Sequence, residues 1–470
     1  MRGLIVLSAV LGAGAPAAAA DKPNVLFIAI DDLRDWVGYL GDKQVKTPNL
    51  DRLAARGLHF TRSYCAAPVC NPSRAALMSG MRPGTTGVYD NRNDWRTAIP
   101  QDKPLTTAFR NAGYYVCGAG KIYHEAYKRR AEWDDYLADE GRAPKPKGND
   151  GVGGIKFAPL DCQDADLPDY RITDYAIKEL GKKHDKPLFL ACGLHKPHMP
   201  WDVPRKYYDM HPLKDIRLPP YLENDLDDIP PAGVKMAHPQ TDHEPMVKSG
   251  RWKEAIQGYL ATISYCDMNI GRLMDAFDKS AYRDNTVIVF WCDHGWHLGE
   301  KHHWRKFALW EEATRSPLIW VVPGLTKPGS RCDRTVDFMT IYPTLCDVCG
   351  IPIPKHVEGR SIKHLLSDPA GTWDEPAVTT YRFKNHTVRT EGWRLIRYAN
   401  GDEELYDESK DPNEWTNLAA KSEYAAKKDE LSKHLPKTNH PDIGGRRGQG
   451  LEEGEVLETE KEKKNNKGND

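Results

Sequence analysis

Five short runs in this chain are apolar through their length, with no polar residue on alternate positions. They are "NVLFIAI" (24–30), "GYYVCGAG" (113–120), "KPLFLACG" (186–193), "NTVIVFWC" (285–292) and "SPLIWVVPG" (316–324). A strand with one wet face alternates polar and apolar residues; a strand covered on both faces does not. These runs therefore read as buried strands. Helical patterns lie between them. "TPNLDRLAARG" has Thr47 at the N-cap, Pro48 in the first turn and Gly57 past its end. "KEAIQGYLATISYCDMNIGRLMDAF" (253–277) brings Ile256, Leu260, Ile263, Ile270 and Leu273 to one face. Strands alternating with helices predict an α/β fold: a large, mostly parallel sheet flanked by helices.

Residues 129–168 and 202–250 are polar and rich in Pro, Gly and Asp, which predicts long surface excursions. After about residue 365 the texture changes. "AVTTYRFKNHTVRTEGWRLIRYANGDEELYD" breaks into short alternating runs with "NGD" as a turn, and the helical "EYAAKKDELSKHL" follows. The expected organisation is a main domain over 21–365, a small C-terminal antiparallel-sheet α+β subdomain over 366–442, and a disordered charged tail over 443–470.

The chain has 470 residues, with 66 Lys+Arg against 67 Asp+Glu. That balance lacks the basic excess of a nucleic-acid partner. Residues 1–20 carry Arg2, the apolar "LIVLSAVLGAGA" and the small-residue "PAAAA", the pattern of a signal peptide. The run is too short and too rich in Ala and Gly to favour a membrane span, and no later run is long and apolar enough for one. An exported protein, periplasmic or secreted, is expected. Ten Cys in such a chain invite disulfides. Cys117, Cys192 and Cys292 lie in apolar runs and read as buried thiols; no bridge is assigned.

Ligands of open α/β sheets bind beyond the carboxyl ends of the strands. Asp31 and Asp32 follow the first run, Lys121 and His124 the second, His195, Lys196 and His198 the third, and Asp293 and His294 the fourth. Parallel strands would bring all four groups to one edge. Carboxylates crowded there repel unless something positive lies between them, so three Asp and one His suggest a divalent-metal site. In "YCAAPVCNPSRAALMSG" (64–80), Asn71 reads as an N-cap and Pro72 as the first helical residue. Cys70 would then stand at a helix N-terminus beside Arg74, where free N–H groups favour an anion and lower a thiol pKa. Together these point to covalent catalysis on an anionic ester with metal help.

"CNPSR" (70–74) resembles the Cys-x-Pro-x-Arg signature of the type I, formylglycine-dependent sulfatases. "NVLFIAIDDLR" (24–34), "GKIYH" (120–124), "HKPHMPW" (195–201), "DHGWHLGEKHHWRK" (293–306) and "ELYDESKDPNEWTNL" (404–418) stand in that family's order, so the likeness spans about 23–420. Lys-x-x-His in "GKIYH", the "HKPH" run and the Asp-His pair are most similar to the iduronate-2-sulfatase branch. "MSGMRP" (78–83) departs from the commoner Leu-Thr-Gly-Arg run, and "EKHHW" is more basic than in animal relatives.

The resemblance implies an alkaline-phosphatase-like fold and one Ca2+ ion held by Asp31, Asp32, Asp293, His294 and the modified Cys70. A maturation enzyme would convert Cys70 to Cα-formylglycine. One hydroxyl of the hydrated aldehyde would attack sulfur, and the second would later expel sulfate. The resemblance has Arg74 steady this group, Lys121 contact it and the sulfate, and His124 assist the second step. His198 and Lys306 would bind sulfate oxygens and help protonate the leaving oxygen. The substrate implied is a sulfated oligo- or polysaccharide, with a 2-O-sulfated uronic acid favoured. Arg92 and Arg96, in a loop soon after the Cys70 helix, are expected to hold a second anion such as the uronate carboxylate. The alternatives are a phosphate or phosphonate monoester hydrolase of the same superfamily and a non-catalytic binder of sulfated glycans.

Overall fold

The structure, a computed structural model, describes residues 22–124, 127–147 and 151–444. The expected signal peptide lies outside the described residues, as does the expected tail beyond its first two residues. Those two are anchored: the Ile443 N–H donates to the Gly87 carbonyl at 3.1 Å.

One eight-stranded sheet organises the main body. In chain order its strands are β1 (Asn24–Ile30), β2 (Leu58–Tyr64), β3 (Tyr115–Gly120), β4 (Asp135–Tyr136), β5 (Leu188–Gly193), β6 (Thr286–Cys292), β7 (Leu318–Val321) and β8 (Ser330–Asp337). Their spatial order is β8-β2-β7-β6-β1-β5-β3-β4. The small sheet is a meander of β9 (Ala377–Tyr381), β10 (Asn385–Arg389), β11 (Trp393–Arg397) and β12 (Glu403–Asp407). The helices that matter below are α1 (Pro48–Ala54), α2 (Cys70–Ser79), α3 (Pro168–Leu180), α4 (Pro231–Ala237), α5 (Trp252–Lys279) and α6 (Ala425–Ser432).

The uninterrupted apolarity of β1 has a direct cause. Leu26, Ile28 and Ile30 enter one core with Ile256, Leu260, Ile263, Ile270 and Leu273 of α5. Val25, Phe27 and Ala29 enter a second core on the other face, with Ala75, Leu77 and Met78 of α2. Burying a large aliphatic or aromatic side chain stabilises by ~1.5–3 kcal/mol, so a strand sandwiched in this way is favoured at every position. β1, β3, β5 and β6 run parallel, and their last residues align: Ile30 lies opposite Cys292, Ala29 opposite Gly193, and Gly193 opposite Gly120.

Two local expectations hold with a difference in detail, and a third is corrected. The run at 316–324 does form a strand, β7, but it lies antiparallel to both β2 and β6. Thr47 stands at the N-cap of α1 without a side-chain cap bond; its hydroxyl accepts from the Gly38 N–H at 2.8 Å. Helix α2 begins at Cys70, with Val69 as N-cap. The Asn71 side chain instead donates to the carbonyls of Asp90 and Asn93, at 2.9 and 2.7 Å. All ten cysteines are free thiols. Among the described residues no helix is long and apolar enough to cross a membrane.

Candidate active site

The four strand ends do converge. Asp31 and Asp32 leave β1, Lys121 leaves β3, His198 lies five residues beyond β5, and Asp293 and His294 leave β6. The strands approach closely here. A Cβ on Gly193 would lie 2.5 Å from the Lys121 carbonyl carbon and oxygen, so glycine is required for β3 and β5 to end side by side.

The Cys70 Sγ lies 3.3 Å from His294 Nε2 and 3.9 Å from Asp32 Oδ1. Ligand atoms from Asp31, Asp32, Cys70 and His198 all fall within 4.8 Å of one another, as do those of Cys70, Asp293 and His294. Three buried cations interleave with the carboxylates. Arg74 reaches Asp293 at 2.9 Å and Asp31 at 3.3 Å. Lys121 pairs with Asp31 at 2.5 Å and Lys306 with Asp32 at 3.2 Å. The His198 Nε2 is 3.8 Å from Asp32. His198 retains side-chain exposure of 26%, whereas Arg74, Lys306 and the three Asp side chains have 0%.

Burial would raise the Asp31 carboxyl, but Lys121, His198 and Arg74 outweigh it and hold Asp31 well below the usual carboxylate range. At Asp32 burial prevails over Lys306 and His198, and the neighbouring Asp31 charge adds to it, so that carboxyl is raised. For His198, burial is outweighed by Asp32 and Asp31, and the imidazole holds its proton more tightly than usual. The Cys70 thiol corrects the expectation of a lowered pKa. Burial and the Asp31 charge push it well above the ordinary thiol value, against Lys121 and Lys306.

These residues fit a hard divalent cation. Buried carboxylate oxygens from two strand ends are the donors such ions prefer, and the raised Asp32 carboxyl marks a site where a further positive charge would be stabilising. The His294 Nδ1 lies 3.0 Å from the Gly295 carbonyl and donates to it, which turns Nε2 toward Cys70 and Asp32.

Several supporting residues carry no signal in the sequence. Tyr259 of α5 donates to the Asp32 carbonyl at 2.8 Å and accepts from the Arg34 N–H at 3.0 Å, holding Asp32 at a φ of 60°. Ser73 donates to the Asp293 carbonyl at 2.6 Å. Tyr259 stands on a helix that reads as ordinary core and Ser73 at a variable position of the Cys-x-Pro-x-Arg run, so neither residue type hints at such contacts. His124 follows β3 as expected, and its ring lies against Tyr127 with centroids 6.1 Å apart. His195 and Lys196 are turned to structural pairs, with Glu140 at 2.9 Å and Asp202 at 2.6 Å. Arg92 and Arg96 are each forked onto a carboxylate two residues earlier, Asp90 at 2.6 Å and Asp94 at 2.8 Å. The loop uses both guanidiniums to brace itself, so a second anion there would compete with those carboxylates.

Comparison with known proteins gives this geometry a family. A model of the sulfatase family matches residues 23–351, and one of the N-sulphoglucosamine sulphohydrolase C-terminal region matches 299–440. A sulfatase of Formosa agariphila is 39% identical over 449 residues, covering 89% of this chain and 87% of that protein. Mouse iduronate 2-sulfatase is 31% identical over 390 residues, covering 72% and 70%. Among solved structures, a phosphonate monoester hydrolase from Silicibacter pomeroyi superposes with a TM-score of 0.74 at 21% identity, covering 88% and 94%; that likeness speaks to the fold alone. With the family model matched over most of the chain and the cysteine signature set among converging carboxylates, the chain belongs to the sulfatase family of sulfuric ester hydrolases.

Proposed function

We propose that this sulfatase hydrolyses a sulfate monoester of a sulfated glycan, with a 2-O-sulfated uronic acid residue as the favoured unit. The name of the mouse relative supports that choice. The observation that carries the catalytic reading is the place of Cys70: the first residue of α2, against His294 and Asp32, among three carboxylates and three cations. A thiol with a raised pKa is a poor nucleophile in that setting, which favours conversion of Cys70 to formylglycine by a maturation enzyme. Calcium is the metal we assign, held by Asp31, Asp32, Asp293 and His294 with position 70. When bound, the two groups supply an oxygen nucleophile and a Lewis acid that draws charge from a sulfate oxygen.

The chain's own residues do the rest. Arg74 fixes Asp31 and Asp293 against each other and so sets the spacing of the metal ligands. Lys121, beside Asp31, and Lys306, beside Asp32, would offer ammonium donors to the nonbridging sulfate oxygens, where charge builds in the transition state. His198, 3.8 Å from Asp32 and holding its proton more tightly than usual, would hand it to the leaving alcohol oxygen. His124, as the resemblance implies, would move a proton at position 70.

The test is the matured protein against Cys70→Ala, assayed with an aryl sulfate, an aryl phosphonate and defined sulfated oligosaccharides. Mass analysis of the Cys70 peptide reports the modification. The expected result is an aldehyde at position 70, turnover that favours the sulfate, and loss of at least about 1,000-fold in kcat in the variant. Unchanged turnover in Cys70→Ala would overturn the reading.

A further inference from the structure

Lys306 reaches Asp32 from a strained stretch of backbone. Lys301, His302, Arg305 and Phe307 all have positive φ, at 54°, 51°, 79° and 69°. Bulky L-residues in that region cost ~1–3 kcal/mol each and persist only where the surroundings over-determine them. Three contacts do so here. The Phe307 N–H donates to the Pro68 carbonyl at 3.1 Å. Arg305 pairs with Asp242 at 2.7 Å. The third contact is His303, a buried residue of the basic "EKHHW" run to which the sequence assigns no role.

The two ring nitrogens of His303 face two backbone carbonyls. Nδ1 lies 2.8 Å from the oxygen of Ala237, the last residue of α4, and Nε2 lies 2.5 Å from the oxygen of Lys306 itself. A carbonyl oxygen only accepts. Both contacts are hydrogen bonds only if both nitrogens carry protons, and the imidazolium alone has two N–H groups. A neutral ring would set a nitrogen lone pair against a carbonyl lone pair at one of the two.

We propose that His303 is the positioning residue of Lys306: its charged ring, donating from both nitrogens, ties the Lys306 carbonyl to the end of α4 and thereby fixes the Lys306 ammonium against Asp32. This rests on the reading that Lys306 grips the sulfate group. Burial opposes the charged ring most, and Arg305, His297 and His243 oppose it as well. The two carbonyls and Asp242 favour it. The balance leaves the ring titrating below the ordinary histidine range. The clamp is therefore complete in acid and loses one of its two bonds as pH rises through that titration. Catalysis by Lys306 should strengthen as pH falls through the same window.

The experiment compares matured wild type, His303→Phe, His303→Gln and Lys306→Ala with an aryl sulfate from about pH 4 to about pH 8, the range in which histidines titrate. His303→Phe is expected to lose about 10- to 100-fold in kcat, with KM nearly unchanged and without the rise of kcat in acid. His303→Gln, whose single amide nitrogen cannot span both carbonyls, should keep an intermediate kcat and also lack that rise. A folded variant of either kind with wild-type kcat and wild-type pH slope overturns the proposal. If thermal melting shows that His303→Phe does not fold, His303→Gln decides. A Lys306→Ala protein at the wild-type rate sinks the functional reading itself, whereas a slow Lys306→Ala beside normal His303 variants sinks only the clamp.

Discussion

The Arg74 guanidinium is fully buried and surrounded by acceptors: the carboxylates of Asp293 and Asp31 and the carbonyls of Ile30, Lys121 and Ile122. A planar fork of five N–H groups can satisfy such a ring of partners; a lysine ammonium, with three, cannot. Removing it leaves two buried carboxylates short of a countercharge, which typically costs ~3–5 kcal/mol. Arg74→Ala should therefore lower the urea midpoint steeply, and Arg74→Lys should recover only part of the loss. Added calcium should restore more stability to Arg74→Ala than it adds to wild type, because it supplies positive charge to the same carboxylates. Denaturation of the three proteins with and without calcium checks this; equal calcium effects would count against a metal at this cluster. Arg74 was legible in the sequence because it stands at a fixed offset from Cys70 on one helix. Its partners come from three strand ends, so its role as their spacer appears only once the sheet has formed.

At the scale of elements, the ends of β3 and β5 are held together by the absence of side chains. Gly120 has a φ of 80°, and a Cβ there would lie 1.9 Å from the Gly193 carbonyl oxygen; the Cβ of an alanine at 193 would press on the Lys121 backbone. Gly193→Ala must therefore move the end of β3 and carry the Lys121 ammonium off Asp31. A displacement of that kind is expected to cost about 10- to 100-fold in kcat. Kinetics beside a melting curve checks it: wild-type kcat in the folded variant would show that Lys121 tolerates the shift. The legibility of the strands follows from burial. β1, β5 and β6 were readable because both faces of each are covered. β2, "LHFTRSY", was missed because polar residues are interspersed and it is only part-buried. The antiparallel direction of β7 was not legible, because an apolar run records burial and not orientation. The helix starts at Cys70, two residues before the Pro72 expected, because Asn71, a good cap by composition, is drawn to the loop at 90–93.

The whole molecule is joined by charges spread over a hundred residues of sequence, which no local pattern reveals. Arg394 of β11 is fully buried and pairs with Glu311 and Glu414, and with Glu408 at 3.2 Å. Arg389 of β10 adds Glu311 and Glu408, both at 3.2 Å. Glu311 belongs to the body that carries the catalytic cluster, and its carboxyl is held far below the usual range because Arg389, Arg394 and Arg315 outweigh its burial. The same small sheet also braces the approach to the nucleophile. Thr379 donates to the Cys65 carbonyl at 2.6 Å, and the Thr380 N–H donates to the Ala66 carbonyl at 2.9 Å, a few residues ahead of Cys70. Replacing Arg394 with Met removes the cation that pairs with Glu414 and leaves Arg389 to face Glu311 and Glu408 without it, a loss on the order of 3–5 kcal/mol. Because the small sheet has its own core of Val388, Leu395, Leu405 and Leu431 of α6, the loss should fall on its attachment before it falls on the main sheet. In a urea titration of Arg394→Met, aryl sulfatase activity is expected to disappear at lower urea than tryptophan fluorescence of the main body, whereas in wild type the two transitions coincide. Coincident transitions in the variant would mean that the small sheet and the catalytic body unfold as one unit, and that the nucleophile segment does not depend on this junction.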